Sequence, residues 1–357
     1  MLGEHRLPLG VWATDIVARA GLHPIINQHK QRDFADKESH RWLAGYEQAC
    51  ALAAAAPQVQ IISVSDREGD VYEVFAEAAR RAAAHEPAAQ WVIRCCQKER
   101  SLQADPAQAG ALKLAAQVAQ SPVLGTVAFK MGGKTQTKKA RGQTTQVERH
   151  GRLVTQEIRA CQLHLKPPFR KGRRLPPVAI WAVSARELNP PAGQEPIDWL
   201  ILTDLPVTTF AQAQDILEIY LARWEVEVFH RVLKTGCTVE ELQLKAPARL
   251  LPALALYMIV AWRLLYLTKL GRDCPELPCD VVFEAAEWKA LVTIAGGRQA
   301  VVNQPSLGVM IRLIAQHGGY LGRKGDGPPG PQVMWQGLRS LQNFALAWRA
   351  FGPPESS

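Results

Sequence analysis

A chain of 357 residues that is 47% hydrophobic and 21% charged is globular, which excludes a disordered or low-complexity protein and leaves room for two domains or one large core with an insertion. Its net charge of +9 is concentrated: residues 130–174 hold thirteen Lys/Arg against Glu148 and Glu157, a local +11, so the rest of the chain is close to neutral. A field that uneven favours a polyanion over a small acidic metabolite, although solvated basic loops also produce one.

Seven cysteines, an odd number with no CxxC pair and no secretory signal ahead of them, read as reduced cytosolic thiols. Cys274 and Cys279 have no matching second pair, which argues against zinc. The longest apolar run, Leu250 to Trp262, ends at Arg263, short of the roughly 20 residues a bilayer span needs. It is expected as a buried core helix of a soluble protein.

In chain order, residues 7–18 have the β-branched and apolar character of a strand. From Ser39, apolar residues recur at intervals of three and four, which predicts a helix closed by Pro57. The apolar stretch 59–66, ending in Asp66, predicts a strand covered on both faces. A helix over "VYEVFAEAARRAAAHEP" and a second buried strand over 91–96 follow. Between about 100 and 200 the chain turns to Gly, Pro, Thr, Gln and basic residues and is expected to be mainly β, with strands in "CQLHLK" (161–166), "VAIWAV" (178–183) and "WLILT" (199–203) and a basic turn at "PFRKGRRLPP" (168–177). A long helix is expected from about Thr209 to Thr235, closed by Gly236 in a left-handed cap. After Gly271 come short helices and a final amphipathic helix carrying Trp335, Leu338, Ala345, Trp348 and Phe351.

The long helix carries the first chemical signal. At about 100° per residue, Tyr220, Arg223, Glu227 and Lys234 fall on one stripe roughly 60° wide, on a helix otherwise largely apolar. One carboxylate among three phosphate-gripping groups suits a divalent-metal ligand beside a phosphate. A solvated i, i+4 pair of Arg223 and Glu227 is the plainer reading. The second signal is "SVSDREGD" (63–70), where Asp66 stands at a strand tip, the place where α/β sheets hold their ligands. An acid there also serves as a helix N-cap or turn residue, and Asp70 could be that cap instead.

Together "SVSDREGD", "NPPAGQEPIDWLILTDLPV" and "YLARWEVEVFHRVLKTG" resemble the DDE transposases of bacterial insertion sequences, in the IS-four / Tn-five-like group with the Tyr-Arg-Glu-Lys signature. The likeness extends more weakly through "DKESHRW", the helix 250–267 and "GGYLGRKGDGPPG", and so covers most of the chain. The resemblance implies an α/β fold with an RNase H-like core, interrupted by a β-rich insertion and followed by a C-terminal helical region. On that plan residues 1–99 begin the core, 100–199 are the basic insertion, 200–270 complete the core and 271–357 form the helical region. It implies Asp66 and Glu227 as ligands of Mg2+ or Mn2+, and Tyr220, Arg223 and Lys234 as phosphate-holding residues. Trp199 corresponds to a tryptophan that stacks on a flipped base, and His230, near the edge of the seam, would touch DNA. Ordinary packing is the other reading of both. The implied activity is cut-and-paste transposition by in-line attack at phosphorus. Its partners would be double-stranded DNA, as terminal repeats and target, and a second copy in a synaptic homodimer; the location would be the bacterial cytoplasm, at the nucleoid.

Three carboxylates are normally required, and the family's first aspartate is followed by two more strands before the second. If Asp15 were that ligand, "IVARAGLHP" would have to form both strands, and it is too short. Asp33 and Asp36 lie just before a helix and are poor substitutes. The expectation is therefore an N-terminally truncated chain, inactive alone, with residues 7–18 as the third core strand. The alternative function is a non-catalytic DNA-binding or dimerising fragment that inhibits transposition.

Overall fold

A computed structural model describes residues 1–3, 6–14, 34, 37–103, 113–140, 143–149, 151–170, 174–244, 246–296, 303–323 and 325–353; over 134–140 and 143–149 and at 247 the description is of the backbone. Asp15, Asp33 and Asp36 lie outside these residues. The chain divides into two compact units, Ala20–Arg223 and a second that joins Met1–Arg19 to Trp224–Ser357.

The first unit is mixed α/β. Helix α1 (His40–Ala55) precedes β1 (Ile62–Ser65), α2 (Tyr72–Ala83) and β2 (Gln90–Arg94). Then come α3 (Leu114–Gln120), β3 (Val123–Met131), the separate hairpin β4 (Lys134–Ala140) and β5 (Gln143–Arg149), the long β6 (Arg152–Leu165), β7 (Val178–Glu187), β8 (Asp198–Thr203) and α4 (Phe210–Ala222). One six-stranded sheet runs β1-β2-β8-β7-β6-β3. β1 and β2 are parallel, joined through α2, and every other pairing is antiparallel. The observed class is therefore a mixed α/β sheet with helices on both faces.

Two-residue alternation assigns the faces. Trp91, Ile93, Leu163, Leu165, Ile180, Ala182, Leu200 and Leu202 pack against α1, α2 and α3. Val92, Ile158, Ala160, Val183, Ala185 and Ile201 pack against Ala213, Ile216, Leu217 and Tyr220 of α4. Helix α4 begins where the sequence predicts, with a full capping box between Thr209 and Gln212. Gly125 marks its seat: a Cβ there would meet the Phe210 ring at 2.7 Å.

The second unit is helical: α5 (Trp224–Arg231), α6 (Pro247–Asp273), α7 (Ala285–Gly296), α8 (Leu307–His317) and α9 (Pro331–Phe351). Its core includes Ala261, Leu264, Leu267, Met310, Ile314, Met334 and Leu341.

Two expectations change here. Residues 7–14 are not a strand; they make one isolated bridge, Leu2 to Pro8, and 15–18 lie outside the described residues. The segment belongs with α6 instead, where the indole of Trp262 donates to the Pro8 carbonyl at 2.8 Å and Leu7 joins the helical core. The apolar run 250–262 is helical within α6, but its first fully buried residue is Ala261: Tyr257 and Val260 are half-buried against the core, and Leu251, Leu256 and Ile259 are exposed. By length and composition α6 is long and apolar enough to cross a membrane, which the run ending at Arg263 did not suggest.

Candidate nucleic-acid interface

Asp66 ends β1 in extended conformation, and its Oδ1 accepts from the Glu68 amide at 2.9 Å, capping a single 3-10 turn over Arg67–Gly69. The plainer expectation, a cap, is thus realised by Asp66 itself. The turn is tight: a Cβ on Gly69 would sit 2.0 Å from the Ser65 hydroxyl oxygen. Gly69→Ala is expected to cost about 1–3 kcal/mol by overpacking, read as a drop in the urea midpoint of the first unit.

Asp70 takes a different role. Its side chain is fully buried and accepts from the amides of Cys96 and Gln97 at 2.7 and 2.8 Å and from Arg100 Nη2 at 2.5 Å. It fixes the chain leaving β2, and with it the position of Arg94 at the strand's end. Burial first, then the Asp70 carboxylate, pushes the neighbouring Cys95 thiol up to about 12, so it stays protonated.

Ile62 and Val64 pack on the α4 side of the sheet, and the same alternation carries Asp66 there. Arg94 follows Val92 onto that side, with its guanidinium 5.9 Å from the centre of the Trp199 ring. Trp199 meets Tyr220 edge to face at 5.6 Å, and Arg223 lies 6.0 Å over the Tyr220 ring. Four side chains thus form a ladder of cation, indole, phenol and cation across β2, β8 and α4. Tyr220 is buried at 5% exposure, so in this arrangement it supports Trp199 and Arg223. Arg94 makes no ion pair among the described residues, and its charge is available to an anion. Sequence reasoning missed it; the signal was a lone arginine closing an apolar strand, "WVIR", one strand over from Asp66.

The predicted single helix from 209 to 235 is three segments. Arg223, right-handed at φ −54°, bonds its amide back to the Tyr220 carbonyl, and α4 ends there. In the second unit α5 buries none of its residues: Trp224 is 61% exposed and Glu227 and His230 are exposed, so the buried helix with a polar seam describes α4 alone. The acid of α5 that is partly covered is Glu225, 2.8 Å from Lys269. A π-turn over Val232–Gly236 follows, and Lys234 there lies 3.1 Å from Glu240. Because a π-turn adds a residue to the repeat, the 100° projection of Lys234 does not hold past Val232. The left-handed residue at the close is Thr238 (φ 51°), where Gly236 was expected.

On the opposite sheet face, beside α3, a cleft of about 230 Å³ is lined by Lys98, Glu157, Arg159, Arg186 and Asp198 among others. It contains none of the predicted site residues, and its acids are already paired, Asp198 with Lys98 at 2.5 Å and Glu157 with Arg159 at 2.7 Å.

A comparison with protein families places a known module on the second unit. Residues 259–351, about a quarter of the chain, match the model of the transposase Tn5 dimerisation domain. The match runs from within α6 through α9, and it supports a transposase of the Tn5-like kind and the formation of homodimers. Apolar side chains of that segment reach solvent, among them Leu321 (65%), Leu346 (57%) and Phe351 (87%), as a self-associating surface requires.

Proposed function

We propose that this chain is a cut-and-paste DNA transposase of the DDE type by descent and DNA contact, with a carboxylate set too small for turnover as it stands. The dimerisation-domain match carries the family. Support for the DNA contact comes from the ladder of Arg94, Trp199, Tyr220 and Arg223 on the face that also holds Asp66. Trp199 offers an indole face for an unpaired base, while Arg94 and Arg223 offer charge to the flanking phosphates. Lys234 and His230 extend the same role on the second unit, and Asp66 and Glu227 are the proposed ligands of Mg2+ or Mn2+. Such an ion would activate the attacking oxygen. The resemblance assigns only these two of the three carboxylates that the reaction uses, and on that ground the reading gives the chain DNA binding without strand cleavage.

A second reading has an observation of its own. A segment that matches a dimerisation domain, on a chain read as lacking turnover, fits an inhibitor that pairs with active transposase or occupies its DNA ends. Incubating the chain with transposon-end DNA and Mg2+ or Mn2+ tests the proposal. The expected result is salt-sensitive binding with no strand cleavage. Turnover that Glu227→Gln abolishes would show instead a complete enzyme. Trp199→Ala should weaken binding to ends with an unpaired base by about 5- to 100-fold, and fully paired ends by much less, measured by fluorescence anisotropy.

A further inference from the structure

Phe169 is 90% exposed, and it sits in the basic turn that the proposed site does not use. A lone exposed aromatic is ordinary; this one is set apart by how its loop is held. At the base, the Tyr72 hydroxyl, itself buried, donates to the Pro176 carbonyl at 2.7 Å and reaches that of Leu165 at 3.4 Å. On the same side the Lys166 amide donates to the Ser101 carbonyl at 3.0 Å. Next to the tip, Arg170 makes a two-point ion pair with Glu73, at 2.7 and 3.4 Å, and the Glu73 side chain is only 2% exposed. The Arg170 guanidinium also donates to the Phe169 carbonyl at 3.4 Å. Two consecutive residues of α2 therefore fix a loop whose phenyl ring touches water on nearly every side.

Along the sequence of this segment the charge has one sign. From 166 to 174 the sequence reads Lys-Pro-Pro-Phe-Arg-Lys-Gly-Arg-Arg, five cations with no acid. Lys166 and Arg174 are exposed and make no ion pair among the described residues. Fixing an apolar ring among unpaired cations fits a partner that is polyanionic and has flat apolar faces to stack on, which describes a nucleic acid. A protein surface rich in acids would satisfy the cations and leave the ring without use.

We propose that this loop is a second DNA contact, in which Phe169 stacks on or wedges between bases while Lys166 and Arg174 grip the adjacent phosphates. The inference rests on the DNA-binding reading above and adds a place to it. Trp199 pairs with Ala185, and the loop leaves β7 at Val178, seven residues further along the strand. At about 3.4 Å per residue the base of the loop is roughly 24 Å along the strand from Trp199, so the two contacts are separate.

The test is the affinity of the full chain for a labelled duplex of about 30 base pairs over a series of KCl concentrations. Phe169→Ala should raise Kd at least fivefold at every concentration with the salt slope unchanged, because stacking releases no counterions. Phe169→Trp should stay within about twofold, and Arg174→Gln should lower the slope of log K against log salt by about one. Phe169→Ala and Trp199→Ala should combine multiplicatively, as distant sites do. Wild-type affinity for Phe169→Ala overturns the inference and leaves the DNA reading intact, as does a change confined to self-association, which would assign the loop to a protein partner. Absence of DNA binding by the wild-type chain would remove both.

Discussion

Asp70→Ala is expected to lower the stability of the first unit by about 3–5 kcal/mol, a fall in Tm on the order of 10 °C. The carboxylate is fully buried, and Arg100, which it pairs with, is 8% exposed. Removing the acid leaves a guanidinium in the interior with no counter-charge, and its Nε already lacks a hydrogen-bond partner among the described residues. The amides of Cys96 and Gln97 lose their acceptor in the same step. The double variant Asp70→Ala/Arg100→Leu removes the stranded charge and should recover a substantial part of the loss. A thermal melt in which the double variant is as unstable as the sum of the two single variants would contradict this account of the buried pair.

Gly337→Ala is the second large effect, and it falls on the helical unit. A Cβ at Gly337 would lie 1.9 Å from the Ile314 carbonyl oxygen, and one at Gly318 would lie 1.8 Å from that of Val333. Both obstacles are backbone, so no rotamer change relieves them, and α8 and α9 must move apart. The cost should reach or pass the upper end of the ~1–3 kcal/mol typical of overpacking. Since α9 lies in the segment that matches the dimerisation domain, sedimentation should show self-association reduced along with stability. Gly330→Ala, where an added Cβ meets nothing within 4 Å and φ is −76°, is the matched control and should be close to neutral. An unaltered melt for Gly337→Ala would mean that the two helices are not packed at backbone distance.

Local elements were legible wherever apolar periodicity and punctuation agreed. The three-and-four spacing from Ser39 and the stop at Pro57 place α1, and the apolar runs 59–66 and 91–96 place β1 and β2, the second ending two residues early, at Arg94. Residues 7–18 show the limit of that reasoning. An apolar, β-branched stretch is suited equally to a strand and to an extended segment lying on a helix, and only the partner decides between them; over residues 7–14 the partner is Trp262 and Leu7's neighbours in the helical core. The motif 220–234 was legible as chemistry but not as geometry. A helical projection assumes a constant repeat, and the break at Arg223 and the π-turn from Val232 both alter it. Arg94 and Phe169 were hidden for another reason: one is significant because of a ring on β8, adjacent in the sheet but six strands further along the sequence, the other because a buried glutamate fixes the residue next to it.

The central claim is that one part of this chain holds DNA while another pairs it with a second copy. The mass of the complex formed with a 30-base-pair transposon-end duplex at moderate salt measures both at once. The account predicts two chains with two duplexes, falling to one chain per duplex in Gly337→Ala molecules that remain folded. A wild-type chain that stays monomeric at micromolar concentration, or that binds no duplex at low salt, would contradict it.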